Sequence, residues 1–241
     1  MRVATWNVLA DDYIRPQYYP TVAPQHLDPE LRWAAVVAQI LAVDADVLCL
    51  QELEAHRAVQ LRAELAGVYV VSHAQKGLGK LDGCAILSRS DPVQQRRVEF
   101  SDGSGHVALL CQLQTGLGVM WVASTHLRWG QHNAPIGRGQ ALELLAQLPK
   151  GPAIVCGDFN AAIDSQVVQP FLAAGFIDAH HQSVGHSCNS NRNPKRIDFI
   201  FTHLLVATGD ELPQLPPDWP CRMQLRHPIT WWCRRGFERR K

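Results

Sequence analysis

No stretch of this 241-residue chain offers the roughly 18 uncharged apolar residues that a membrane-crossing helix needs. The nearest run, Ala34 to Leu50, is broken by Gln39, Asp44 and Asp46. The opening Met1-Arg2-Val3-Ala4-Thr5-Trp6 leads into an apolar run too short for a secretory signal, so a soluble cytoplasmic protein is expected. An excess of one charge is also missing. The 23 Lys and Arg against 22 Asp and Glu leave +1, and no global basic field marks a polyanion partner. The balance is uneven locally: Arg234 to Lys241 carries five basic groups and Glu238, a +4 tail on a body of −3. There is no repeat of fixed period, no Gly-x-Ser-x-Gly elbow and no Gly-x-x-x-x-Gly-Lys-Ser/Thr loop, which argues against solenoid, esterase and P-loop readings. Seven cysteines are an odd number, and Cys49, Cys84, Cys111 and Cys156 all sit in apolar runs. They read as buried thiols in a reducing compartment rather than as a disulfide framework.

What is present is ample apolar material, 46% hydrophobic against 19% charged, enough for one domain over 1–241 with a basic tail at 234–241. Asp28-Pro29-Glu30 is a helix start, and Trp33, Val37, Ile40 and Leu41 carry the helical period to about Val43. A short buried strand follows at Val47 to Leu50, then a helix from Glu54 to Ala66 stopped by Gly67. Further strands are expected at Tyr69 to Ser72, Cys84 to Ser88, Val107 to Leu113 and Val119 to Thr125, the last two joined as a hairpin through Thr115 to Gly118. Helices at Gln140 to Leu148 and Ser165 to Ala174 alternate with strands at Ala153 to Cys156, Ile197 to Thr202 and Ile229 to Cys233, and the prolines of Pro213 to Pro220 make a loop. Alternating helices and mixed strands indicate a layered α/β domain.

The informative polar residues stand where apolar strands end. Asn7 follows Val3 to Trp6, Gln51-Glu52 follows Val47 to Leu50, and His126 follows Val119 to Thr125. Gly157-Asp158-Phe159-Asn160 follows Ala153 to Cys156, and His227 precedes Ile229 to Cys233. Ligand sites of α/β sheets gather beyond strand ends, so these groups are candidates to converge. Glu and Asn are hard oxygen ligands suited to Mg²⁺ or Mn²⁺, and Asp and Asn beside a His can position a water. The plainer readings are a solvated cap for Glu52, a turn-capping Asp158 and a surface His227. Asp198, set between Ile197 and Phe199, is harder to dismiss, since a carboxylate there needs a partner.

Thr5-Trp6-Asn7, Gln51-Glu52, Ser124-Thr125-His126-Leu127, Gly157-Asp158-Phe159-Asn160, Arg196-Ile197-Asp198-Phe199-Ile200-Phe201 and His227-Pro228 occur in an order that resembles the endonuclease/exonuclease/phosphatase superfamily. Trp6 to Asp11, Tyr19-Pro20, Leu31-Arg32-Trp33, Asp82 to Ile86 and Thr125 to Trp129 look like its deadenylase branch, which includes nocturnin and Angel. The resemblance implies a four-layer α/β sandwich of DNase I type, with two mixed β-sheets packed face to face and helices outside. It implies a Mg²⁺-dependent phosphoesterase, with Mn²⁺ an alternative ion, acting on RNA 3′ ends, 2′,3′-cyclic phosphates or nucleotides. By the same resemblance Glu52 and Asn7 hold the metal, Asp158 and Asn160 orient and deprotonate the water, Asp198 fixes the tautomer of His227, and His126 bonds a phosphate oxygen. Arg226 stands where the family places an Asp before the last His, which implies a one-metal site and a cation facing the phosphate. Arg138 and Lys80 are further phosphate contacts by this reading.

Other features invite other readings. His180, His181, His186 and Cys188 hint at zinc, but their spacing matches no common site and a mobile polar loop through Ser183 to Asn193 is expected. Gly77-Leu78-Gly79-Lys80 reads as an active-site loop, with Lys76 or Lys80 reaching a phosphate. The tail reads as a solvated terminus or a backbone-phosphate contact, and Trp129, Trp219, Trp231 and Trp232 as core or base-stacking residues. Functional alternatives are an abasic-DNA endonuclease or inositol-phosphate phosphatase of the same superfamily, or an RNA-binding module without catalysis. A monomer acting on RNA or nucleotides, away from membranes, is expected.

Overall fold

The computed structural model describes residues 1–20, 22–190, 193–209 and 212, and the backbone of two strands at 231–233 and 235–239. Within the strands, side-chain alternation decides which layer each residue joins. In strand β2 (Val47–Glu54), Val47 and Cys49 enter one apolar cluster while Leu48, Leu50 and Leu53 enter another. A strand with both faces apolar is a central strand covered on both sides.

The first sheet holds β1 (Val3–Asn7), β2, β3 (Val70–Gln75), β4 (Asp82–Ser88) and β14 (Trp231–Cys233), in the order β14-β1-β2-β4-β3. The second holds β5 (Gln94–Glu99), β6 (Val107–Thr115), β7 (Gly118–His126), β8 (Ala153–Asp158), β9 (Ile177–Asp178) and β12 (Asp198–His203), in the order β5-β6-β7-β8-β12-β9. Only β1–β2 and β7–β8 pair in parallel; the other ladders of these two sheets are antiparallel. Val3, Cys49 and Ile86 of one sheet meet Leu109, Val122 and Cys156 of the other in the middle layer. Helices α1 (Pro29–Val43) and α2 (Ala55–Glu64) cover the outer face of the first sheet through Trp33, Ile40 and Leu61. Helices α3 (Ala134–Gln147) and α4 (Gln169–Ala173) cover the second through Ala141, Leu144 and Phe171. This is the expected four-layer sandwich of two mixed sheets with helices outside.

Helix α1 begins and ends as its sequence implies, with the Asp28 side chain accepting the Leu31 N–H and Pro29 at the first helical position. Several elements differ from expectation. Strand β2 runs on to Glu54, so α2 starts at Ala55 rather than at Glu54. Helix α3 starts at Ala134, not Gln140, because Pro135 initiates it and Gly137 packs against Val167 where a larger residue would crowd. The helix expected over Ser165 to Ala174 shrinks to α4, preceded by turns. The polar segment expected as a loop carries the hairpin β10 (Cys188–Ser190) and β11 (Asn193–Lys195). Strand β13 (Leu205–Thr208) pairs with β15 (Arg235–Arg239). The Pro213–Pro220 loop and Trp219 lie outside the described residues, and of the expected Ile229–Cys233 strand the described part, β14, pairs antiparallel with β1. Cys49, Cys84, Cys111 and Cys156 are buried free thiols, and Cys188 is buried. Among the described residues no helix is long and apolar enough to cross a membrane.

Candidate active site

Strand register delivers the site. The parallel pairs β1–β2 and β7–β8 end at one edge of the sandwich, where Asn7 faces Gln51 and His126 faces Asp158 across their ladders. Strand β12 starts at that edge, so Asp198 lies opposite Asp158. One sheet therefore contributes Asn7 and Glu52, and the other His126, Asp158 and Asp198.

Glu52 would point toward the helices if β2 stayed regular. A bulge between Gln51 and Leu53 breaks the ladder with β4, and Glu52 takes φ +59°, the left-handed region, which turns its side chain to the strand-end cleft. Leu9 and Asn160 also have positive φ, at +60° and +51°. Strain of this kind gathers where side chains are aimed rather than where the chain is relaxed.

The amide of Asn7 joins the two sheets. Its Nδ2 donates to Glu52 Oε1 at 2.7 Å and to Asp158 Oδ2 at 3.0 Å, while its Oδ1 accepts the Leu9 N–H. Glu52 Oε2 accepts from the Ala10 N–H at 3.2 Å. Burial pushes the Glu52 carboxyl above its ordinary range, an effect that Asn7 and Lys76 only partly offset. Asp158 Oδ1 accepts the Asn160 N–H at 2.9 Å, and Asn160 Nδ2 donates to Leu127 O. His126 Nδ1 lies 3.4 Å from Lys76 Nζ and 3.8 Å from Glu52 Oε1. Lys76 is buried against Asp82 at 2.5 Å, and Asp82 also accepts from Tyr13 Oη. Asp198 Oδ2 accepts from Ser187 Oγ at 2.7 Å.

Of these groups Glu52, Lys76, His126 and Asn160 line a cavity of about 1170 Å³, whose walls include Tyr13, Tyr19, Lys80, His106, Arg128 and Trp129. Asn160 and Lys80 are among its lining residues. Arg138 is not; it is exposed on α3. Arg128, two residues beyond His126, takes the cavity wall. His227 and Arg226 lie outside the described residues. Tyr13 carried no strand-end signal, and His106, directly before the expected Val107 to Leu113 strand, was not singled out; they reach the cleft through a turn and a loop whose fold is set by distant contacts.

Among the described residues, His180, His181, His186 and Cys188 do not assemble into a metal-holding group. Asp11, Glu54 and His56 place one ligand atom each within 4.8 Å of one another, but Asp11 is the hub of ion pairs to Arg32 and Arg57. Trp129 is 73% exposed at the cavity rim, which suits stacking better than core packing.

A family model for the endonuclease/exonuclease/phosphatase family matches residues 4–229, and the chain belongs to that family, whose members are hydrolytic nucleases and phosphoesterases. Within it the similarity is to the deadenylase branch. The chain is 28% identical over 232 residues to the CCR4-Not complex 3'-5'-exoribonuclease subunit Ccr4 of Kluyveromyces lactis, covering 75% of this chain and 29% of that protein. It is 27% identical to protein angel homolog 2 of Danio rerio, covering 80% and 38%. It thus spans about a third of the length of these curated relatives. The fold superposes on the human nocturnin catalytic domain with a TM-score of 0.77, at 22% identity over 97% of this chain and 92% of that one. On ANGEL2, a 2',3'-cyclic phosphatase, the TM-score is 0.76 at 20% identity, covering 83% and 82%.

Proposed function

We propose that this chain is a divalent-metal-dependent phosphoesterase acting on phosphodiester or phosphate groups at RNA 3′ ends or in nucleotides. The observation that carries the reading is the Asn7 amide held between the Glu52 and Asp158 carboxylates, directly beside His126. Two buried carboxylates on one amide, with the Glu52 anion penalised by burial, form a donor set of hard oxygens that suits Mg²⁺ or Mn²⁺. Glu52 would hold the ion, and Asn7 would join it through Oδ1 once its amide is flipped, since Nδ2 now faces the carboxylates and Oδ1 the Leu9 N–H. Bound there, the ion would neutralise charge that develops on the phosphoryl oxygens.

The remaining steps belong to the chain. Asp158 accepts the proton of the attacking water, and its own orientation is fixed by the Asn7 amide and the Asn160 N–H. Asn160 directs that water from the cavity floor. Lys76 has three donors and no acceptor, so His126 Nδ1 must accept from it; the ring's proton then sits on Nε2, where it donates to a phosphate oxygen. Asp198 and His227 complete the reading as an acceptor and the imidazole it orients. Lys80 and Arg128 on the cavity wall favour a polyanionic substrate, and Trp129 offers a face for a base. Among the described residues, the free buried thiols of Cys49, Cys84, Cys111 and Cys156 suit a reducing compartment such as the cytoplasm. The region 1–241 acts as one domain in this reading.

The experiment is a substrate panel with Mg²⁺: oligoadenylate with a 3′ hydroxyl, a 2′,3′-cyclic phosphate, a nucleotide phosphate, abasic DNA and an inositol phosphate. Wild type releases product from the RNA or nucleotide members, and Glu52→Ala loses that release by at least about 10³-fold. RNA retained without product would make the chain a binding module; preference for abasic DNA or inositol phosphate would move the substrate class.

A further inference from the structure

His106 is buried at the entrance to β6, lines the same cavity, and has no part in the chemistry described above. The direction of the hydrogen bonds behind its ring is fixed by elimination. Against the upward push of burial, bonds from Ser104 and Gln140 hold the Asp102 carboxyl below its ordinary range, so it is an anion and accepts only. Ser104 Oγ lies 2.6 Å from Asp102 Oδ1, and an oxygen pair that close to a carboxylate requires the hydroxyl hydrogen between them. Ser104 has then spent its one hydrogen. At 2.9 Å from the same Oγ, His106 Nδ1 must supply the proton of that second bond.

The imidazole therefore carries its hydrogen on Nδ1 and leaves a bare lone pair on Nε2, at the edge turned away from Ser104. The ring also stays neutral: burial first, then the charges of Lys76, Lys80 and Arg128, lower its pKa to about 4. Lys80 is anchored beside it by a bond from Nζ to Ser104 O. A neutral acceptor among three cations is unsuited to a phosphate oxygen, whose lone pairs would meet its own. It is suited to a hydroxyl. The His106 ring stands edge-on to His126 with centroids 6.0 Å apart, so a substrate whose phosphate meets His126 brings its sugar to His106.

We propose that His106 is a specificity-determining residue that accepts a hydrogen bond from a hydroxyl on the sugar bearing the scissile phosphate, and so selects ribose over deoxyribose. This rests on the phosphoesterase reading of the site. The test compares kcat/KM for an oligoadenylate with that of the same oligomer carrying a 2′-deoxy sugar at the reacting residue. Wild type favours ribose by roughly tenfold or more, as expected for one hydrogen bond to a buried acceptor. In His106→Leu the ratio falls to near one, and in His106→Gln, which keeps an acceptor, part of it returns. A wild-type ratio near one, or an unchanged ratio in His106→Leu, overturns the proposal while leaving the phosphoesterase reading intact.

If wild type hydrolyses neither oligomer nor any other member of the substrate panel, the phosphoesterase reading fails separately. Calorimetric binding of adenosine 3′-monophosphate against its 2′-deoxy form then reads the same preference, and equal affinity or no binding overturns the role of His106. Long-range ¹H–¹⁵N spectra of His106 supply a readout that packing alone does not move: the Nδ1–H tautomer is expected, and the Nε2–H tautomer refutes the geometry.

Discussion

Glu52 is 8% exposed and takes left-handed backbone at a bulge, and burial raises its carboxyl pKa. A carboxyl whose folded pKa lies above its unfolded value contributes stability at low pH and loses it as pH rises through the folded pKa. Without a divalent ion, the stability difference between Glu52→Gln and wild type should shift toward the variant as pH rises from about 4 to 7. The amide has one acceptor oxygen where the carboxylate has two and cannot keep both the bond from Asn7 Nδ2 and that from Ala10 N–H, so the absolute offset includes a lost hydrogen bond; the slope with pH isolates the charge. Adding Mg²⁺ at pH 7 should raise the thermal midpoint of wild type and leave that of Glu52→Gln unmoved, because an ion that binds only the folded state stabilises by mass action. Chemical denaturation across pH, with and without EDTA, checks both. A variant that gained as much from Mg²⁺ as wild type would remove Glu52 from the ion's site.

At the scale of elements, β7 and β8 approach at Gly157 more closely than side chains permit. A Cβ built there falls 2.0 Å from Thr125 O, backbone that cannot swing aside. The parallel pairing of Thr125 with Gly157 sets His126 opposite Asp158 one residue later. Gly157→Ala should part the two strands at that point, costing several kcal/mol in folding stability, and should lower kcat more than it raises KM, since it moves Asp158, the proton acceptor in the proposed reaction. A well-folded variant with wild-type kcat would show that the spacing of these strand ends is not critical. The same elements mark where the sequence could be read. Asn7, Glu52, His126 and Asp158 each close an apolar run, so their edge of the sheet followed from local pattern. Gln94 to Glu99 did not read as a strand, because β5 is an edge strand with Gln94, Gln95, Arg97 and Glu99 exposed. The start of α3 was hidden for a similar reason: Gly137 and Gly139 masked its first turns, on which Arg138 stands exposed. His106 precedes an expected strand, but nothing local told it from a loop residue, since its setting comes from Asp102 and Ser104 folding back under Gln140.

Across the whole molecule, the two sheets must hold their relative position, because neither carries a complete site. Apolar contact alone is poorly suited to this, since it is non-directional. The middle layer contains a polar clasp at the end nearest the cleft. Gln51 Nε2 donates to Thr5 Oγ1 at 3.1 Å within its own sheet and to Ser124 Oγ at 3.2 Å in the other, and Ser124 Oγ donates back to Leu50 O. Gln51 immediately precedes Glu52, and Ser124 stands two residues before His126 on the opposing sheet, so the clasp fixes the distance between the halves. Removing one partner leaves a buried donor or acceptor unmatched, so Gln51→Leu and Ser124→Ala should each cost about 1–3 kcal/mol. Removing both leaves fewer unmatched groups, and the double variant should cost less than the sum of the singles. Activity should behave differently: the double variant, though partly restored in stability, has lost the link that aligns Glu52 with Asp158 and should remain as slow as the slower single variant. Denaturant unfolding and steady-state kinetics on the three proteins separate the two quantities, and recovery of both together would mean that packing alone aligns the sheets.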